Sequence, residues 1–232
     1  NLPENNHPTN IDVSEQTKIL ENLTDNFYKP FNTCSYLLEI FTIYQSCDNN
    51  RKLRIIDFGA NNIDNYIYLT RYLKNFEYIY HDLHHYNVAI KDLIEKNNLK
   101  NITVLDKLEN IDQEIDFVLF GSSIHYINNY KEILNKIFSI KNKYIIFSHT
   151  PFYISDKSDN DIVMKQVNIH PTINYAYLIE YKNFLNLMKK NNYKLLSQNK
   201  KNFIKFLNFK NFKNYSFLSF LDLIFMNEKD SK

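Results

Sequence analysis

The sequence predicts an α/β fold: seven mostly parallel strands, the last one antiparallel, flanked by helices and preceded by an N-terminal helical extension. Three observations predict it. From Leu53 to Ser148, short apolar runs alternate with stretches of helical spacing, which is the pattern of right-handed β-α-β crossovers and of a parallel sheet covered on both faces. Most of these runs stop at a polar or acidic residue. Two further runs rich in Phe, Leu and Ile close the chain as a terminal antiparallel hairpin.

The elements follow in order. Residues 1 to 12 read as a loose tail. Positions 13 to 47 are helical, with Ile19, Leu23 and Phe27, then Leu37, Phe41 and Tyr44, at helical spacing on either side of Pro30. Residues 1–50 therefore form an extension and residues 51–232 the α/β domain. Leu53–Phe58 is the first strand and Tyr66–Leu73 the helix after it. Tyr78–His81 is the second strand, ending at Asp82, followed by a helix over Asn87–Asn97. Ile102–Leu105 is a short third strand, and Asp116–Phe120, ending at Gly121, the fourth. A helix at Tyr130–Phe138 leads to a fifth strand at Tyr144–Ser148. An irregular insert follows Thr150-Pro151, spanning about residues 151–177. Beyond it come a helix at Ile179–Asn191, the stretch Tyr193–Gln198, and strands near Phe203–Phe209 and Tyr215–Phe225.

Composition narrows the function classes. A chain of 232 residues suits one substantial domain with appended pieces. A net charge of +2 gives no broad electrostatic case for nucleic acid. The lysines gathered from Lys189 onward read first as a solvated face. Cys34 and Cys47 make neither a disulfide scaffold nor a metal knuckle. No run approaches the ~20 apolar residues of a membrane span, because Asp222 breaks the longest, Phe217 to Phe225. The polar, acidic N-terminal stretch does not resemble a secretory signal, so a cytoplasmic protein is expected. Abundant Asn, Lys, Ile, Tyr and Phe match the codon bias of an AT-rich genome, which discounts any single Asn or Tyr as a signal.

Ligands of open α/β sheets bind outside the carboxyl ends of the strands. Here those ends are Asp57 to Asn61, Asp82, Asp106, Gly121 to His125, and His149 to Phe152. The first is the most informative. The chain has only two glycines, and Gly59 falls where an apolar strand turns into a helix, a place that calls for close backbone approach.

Three segments carry a family resemblance. They are Ile56-Asp57-Phe58-Gly59-Ala60; Asp116-Phe117-Val118-Leu119-Phe120-Gly121-Ser122-Ser123-Ile124-His125-Tyr126-Ile127; and Tyr144 through Thr150-Pro151-Phe152, on to Asp161-Ile162-Val163-Met164-Lys165-Gln166 and Asn174-Tyr175-Ala176-Tyr177. Over about residues 50 to 200 the chain resembles class I S-adenosylmethionine-dependent methyltransferases. More narrowly, it resembles a bacterial methyltransferase family found among surface-polysaccharide (capsule) genes. The third segment is the most distinctive. The family's turn has further glycines where this chain has Asn61 and Ile63. Asn tolerates positive φ, whereas Ile does so only at a cost.

The resemblance implies a Rossmann-like sheet and S-adenosyl-L-methionine as cofactor, with S-adenosyl-L-homocysteine as product. It implies cofactor-binding roles for Asp57, Gly59, Ala60, Asn61, Asp82, Leu83, Asp106, Gly121, Ser122 and Ser123. His149 and His125 are the acid–base candidates, since histidine titrates near neutrality, and His149 is preferred. Thr150, Phe152, Gln166, His170, Tyr175 and Tyr177 would meet a small polar acceptor, a sugar or nucleotide-linked group methylated on oxygen.

The residues alone leave blander readings open. Asp57 could cap a helix, Asp82 and Asp106 could be solvated acids, Ser122 and Ser123 ordinary turn residues, and the polar side chains of the insert solvated. His81, His84 and His85 fit no metal-ligand spacing, and no metal is expected. Rival functions are a catalytically inactive methyltransferase-like scaffold and an NAD(P)-dependent enzyme. The missing Gly-x-Gly-x-x-Gly counts against the second. The N-terminal helices could cover the cofactor, pair subunits as a homodimer, or cap the sheet.

Overall fold

The computed structural model describes residues 2–3, 14, 17, 40, 42–44, 51–155, 160–166, 173–201 and 217–230. Most of the predicted N-terminal helices, the strand near Phe203–Phe209, and His170 lie outside the described residues. The chain divides into two compact bodies, residues 8–119 and residues 1–7 with 120–232, so the boundary falls inside a strand.

The first body holds β1 (Leu53–Phe58), α1 (Asp64–Thr70), β2 (Phe76–His81), α2 (His84–Lys96), β3 (Ile102–Val104) and most of β4 (Ile115–Gly121). β1 is central. It pairs in parallel with β2, from Leu53↔Phe76 to Phe58↔His81, and with β4, from Ile55↔Phe117 to Asp57↔Leu119. β3 adds beyond β2, from Tyr78↔Ile102 to Tyr80↔Val104. Strand order therefore reverses beside β1, which makes its carboxyl end a switch point of the kind that binds ligands. Ile55, Ile56, Phe117, Val118 and Leu119 are buried to 1% exposure or less, as a strand covered on both faces requires. β2 alternates instead. Phe76, Tyr78 and Tyr80 are buried, and the Tyr66 ring of α1 lies 6.2 Å from Phe76 and 5.7 Å from Tyr78. That face is thus lined with phenols and needs polar partners inside the core.

The second body begins with the end of β4 and continues through a 3-10 turn, α3 (Tyr130–Ser139), β5 (Asn142–Ile154), β6 (Ile162–Gln166), β7 (Asn174–Glu180), α4 (Tyr181–Lys190), β8 (Tyr193–Lys201) and β9 (Phe217–Asn227). β9 runs antiparallel to both β5 and β8, so the last strand is antiparallel as predicted, but the hairpin partner described for it is Tyr193–Lys201, whereas the sequence pointed to the stretch near Phe203–Phe209. An aromatic core joins these strands to α4. Phe184 contacts Phe147 at 5.0 Å and Phe152 at 5.1 Å, and Phe147 stacks on Phe120 at 5.2 Å.

The described residues of the segment read as an irregular insert are largely strand. β5 runs past Ser148 to Ile154, and β6 and β7 form an antiparallel hairpin from Ile162↔Leu178 to Gln166↔Asn174. β7 then pairs in parallel with β5 at Phe152↔Ile179 and Tyr153↔Glu180. The described residues thus form nine strands: six of the expected seven, the two strands of this hairpin, and β8 at Tyr193–Lys201. Met164, Ala176 and Leu178 of the hairpin form a small core with Tyr153 of β5.

Candidate functional site

In the first body the sequence after β1 folds back on itself. Gly59 has φ 67° and Asn61 φ 60°, so asparagine takes the second left-handed position. Ile63 stays at φ −108° and opens α1, with no left-handed strain. The Asn62 side chain accepts the Asp64 amide at 2.9 Å, satisfying a donor in the first turn of the helix. The Gly59 amide donates to the His81 carbonyl at 2.8 Å, and the Asn61 amide donates to Asp82 Oδ2 at 2.7 Å. Asp82 Oδ1 in turn accepts the Leu83 amide at 2.7 Å. One carboxylate thus joins the turn after β1 to the start of α2.

Asp57, in β1 just before this turn, is 1% exposed. Its Oδ2 accepts hydrogen bonds from the Tyr78 hydroxyl and from Asn65 Nδ2, the latter at 2.7 Å. Its Oδ1 has no hydrogen-bond partner, and neither has the buried Tyr80 hydroxyl. Burial raises the Asp57 carboxyl to about pH 6 against the pull of its two donors, and the nearby Asp82 charge adds to the rise. A buried carboxylate oxygen without a donor is uncommon in proteins and calls for an explanation. A cationic or hydrogen-bonding ligand group would meet it.

Asn87 links the next two strand ends. It accepts the Asp82 amide at 3.0 Å and donates to the Leu105 carbonyl at 3.2 Å. Asp106 is held by Lys91 at 2.7 Å, which lowers its pKa. Leu83 remains 43% exposed.

In the second body, Ser122 has φ 64° and its amide donates to the Phe120 and Ser148 carbonyls, each at 3.0 Å. Ser123 and His125 are buried. Burial, reinforced by His149, pushes the His125 pKa down to about 3, so this imidazole is neutral at physiological pH, and its Nδ1 has no hydrogen-bond partner. His149 has φ 48° and stacks on Phe220 with ring centroids 4.4 Å apart. Thr150 and Phe152 are fully buried. The Thr150 hydroxyl donates to the Ser148 carbonyl at 3.2 Å, and Phe152 belongs to the aromatic core. Gln166 accepts the Tyr126 hydroxyl at 3.0 Å. Tyr177 packs edge-on against Tyr130 at 5.5 Å, and Tyr175 pairs with Lys165.

Sequence reasoning did not single out Tyr78, Asn65, Asn87 or Asp222 as site residues. Two asparagines and a tyrosine are invisible in so Asn- and Tyr-rich a chain. Asp222 did leave a signal, as the acid interrupting the most apolar run.

No protein-family model and no curated protein sequence matches the chain, but solved structures do. The N-terminal domain of EvdMO1, crystallised with SAH and D-fucose, aligns at TM-score 0.54 and 10% identity, covering 96% of this chain and 100% of its own. An S-adenosylmethionine-dependent methyltransferase from Clostridium acetobutylicum aligns at TM-score 0.51 and 13% identity, covering 92% and 98%. The 1,6-didemethyltoxoflavin-N1-methyltransferase of Burkholderia thailandensis, with bound 1,6-didemethyltoxoflavin and S-adenosylhomocysteine, aligns at TM-score 0.50 and 11% identity, covering 97% and 94%. The fold is the Rossmann-like fold of these methyltransferases.

Proposed function

We propose that this protein is an S-adenosylmethionine-dependent methyltransferase acting on an oxygen of a small polar acceptor. The acceptor is a sugar or a nucleotide-linked precursor of surface polysaccharide. The observation that carries the reading is the turn at Gly59 to Asn61. It is left-handed at both positions, is pinned to Asp82, and directly follows Asp57, whose buried carboxylate has one oxygen without a partner. A Cβ at position 59 would intrude on the backbone approach that such a turn provides.

Asp57, Gly59, Ala60, Asn61, Asp82 and Leu83 would hold the cofactor in the first body. Gly121, Ser122 and Ser123 are assigned to the same role, and Asp106 to a peripheral one. When bound, the cofactor supplies an electrophilic methyl group on a sulfonium. The chain's own contribution is alignment and exclusion of water, which together lower the barrier by several kcal/mol. An acceptor hydroxyl must also lose its proton. His149 suits that task, since its ring is partly exposed, whereas His125 is held neutral and too weakly basic. Gln166, His170, Tyr175 and Tyr177, with Thr150 and Phe152 behind them, are assigned to the acceptor side.

One observation favours the inactive-scaffold alternative: both Asp82 oxygens already accept backbone amides. Calorimetric titration with S-adenosylmethionine and S-adenosylhomocysteine, with NAD as control, separates the readings. Micromolar binding of either sulfur nucleotide and none of NAD is expected. Absence of binding to both would overturn the proposal.

A further inference from the structure

Asp222 sits in the middle of β9, between Leu221 and Leu223, and all three are buried. A carboxylate in such a position is costly unless it is hydrogen-bonded. Its Oδ1 accepts from the Ser148 hydroxyl at 3.0 Å and from the His149 amide at 2.8 Å. Those donors come from one place in β5. The β5–β9 register passes from Phe147↔Leu223 directly to Thr150↔Leu221, so Ser148 and His149 together face the single residue Asp222. This is a β-bulge, and bulges re-aim side chains and recur beside active sites.

The bulge places His149 at φ 48°, a conformation that costs a non-glycine residue about 1–3 kcal/mol and persists only where its surroundings enforce it. Two contacts from β9 enforce it here. Asp222 takes the His149 amide, and Phe220, two residues earlier on the same strand, lies under the imidazole with the rings inclined by 20°. The rise in strain is thus matched by contacts that fix both the backbone and the ring of one residue.

We propose that Asp222 is a positioning residue, holding the β5 bulge so that the His149 imidazole is fixed against Phe220 in readiness for proton transfer from the acceptor. The proposal rests on the role given to His149 above. The carboxylate acts through its accepting oxygen, not through its charge.

The test is nuclear magnetic resonance of the full chain with labelled histidine. Seven histidines are present, and the His149→Gln spectrum assigns the relevant ring signals. In the wild type these signals lie upfield of an exposed histidine because of the Phe220 ring. Asp222→Ala is expected to move them to the exposed position. Asp222→Asn, whose amide oxygen still accepts both hydrogen bonds, is expected to restore them. Should Asp222→Ala fail to fold, Asp222→Thr, too short to span both donors, carries the same expectation. A merely structural carboxylate would lower the melting temperature and leave the His149 signals in place, and that result would overturn the proposal. So would failure of Asp222→Asn to restore the signals. Titration of the same samples with S-adenosylhomocysteine keeps the two readings apart. A wild type that does not bind it refutes the methyltransferase reading, whereas binding with His149 unmoved in Asp222→Ala refutes only the positioning role.

Discussion

The Asn61 amide donates to the Asp82 carboxylate at 2.7 Å, so the turn after β1 is tied to the end of β2 by a side chain in addition to the Gly59 amide on the His81 carbonyl. Asn61 can take part because its backbone is left-handed, and Gly59 reaches the same region of conformational space two residues earlier.

Gly59→Val puts a β-branched side chain at φ 67°, at a cost of about 1–3 kcal/mol. S-adenosylmethionine affinity should fall by roughly tenfold or more, with the circular dichroism spectrum retained. Unchanged calorimetric affinity in a folded variant would remove Gly59 from the binding role.

Asp57 carries a pH dependence of defined sign. Its carboxyl rises from 3.8 to about 6 on burial, so the fold binds this proton more tightly than the unfolded chain does. The resulting stabilisation is present below about pH 3.8 and is lost as pH rises through about 6. Asp57→Asn removes it. The melting temperature at pH 4.5 relative to that at pH 7.5 should be lower in the variant than in the wild type, and an unchanged offset would contradict the assignment.

His125 works in the opposite direction. Burial lowers its pKa from 6.5 to about 3, so the unfolded chain takes up a proton that the fold refuses. Stability attributable to this residue is complete above pH 6.5 and is lost as pH falls toward about 3. In His125→Asn the decline in melting temperature between pH 7 and pH 5 should be shallower. A His125 ring that titrates above pH 5 by nuclear magnetic resonance would count against it.

Asp161 is a hub at the root of the β6–β7 hairpin. It accepts from the Tyr130 hydroxyl, Lys131 Nζ and the Glu180 amide, each at 2.9 Å. Asp161→Ala strands a buried phenol and a strand-end amide, at an expected cost of about 1–3 kcal/mol in urea unfolding. Lys131→Ala should cost under about 1 kcal/mol, because that ion pair is solvent-exposed on the lysine side. Equal effects would refute the hub.

The first body was the more legible in sequence. Its strands are apolar runs closed by local signals, and Gly59 with Asn61 announced the turn locally, although the Asp82 that pins it lies 21 residues on. What governs Asp57 was hidden, because Tyr78 comes from another strand and is one of 18 tyrosines. The hairpin escaped because Ile162–Gln166 is short, with Val163 exposed and Lys165 polar, so its alternation is too brief to read against a loop. The bulge at Ser148 and His149 could not be read at all. It is set by an aspartate 74 positions away, and nothing near β5 records that partner.

The hairpin has a consequence for how this chain can change over time. β6 pairs only with β7 among the described residues, and β7 meets β5 through just two registered pairs. Its Met164, Ala176 and Leu178 pack against Tyr153 of β5 in a small core. Length and composition can therefore drift in this appendage while the Gly59 turn, built within residues 8–119, stays intact. Related chains are expected to diverge first at the exposed positions of this hairpin, such as Val163, and last at the residues packed on Tyr153.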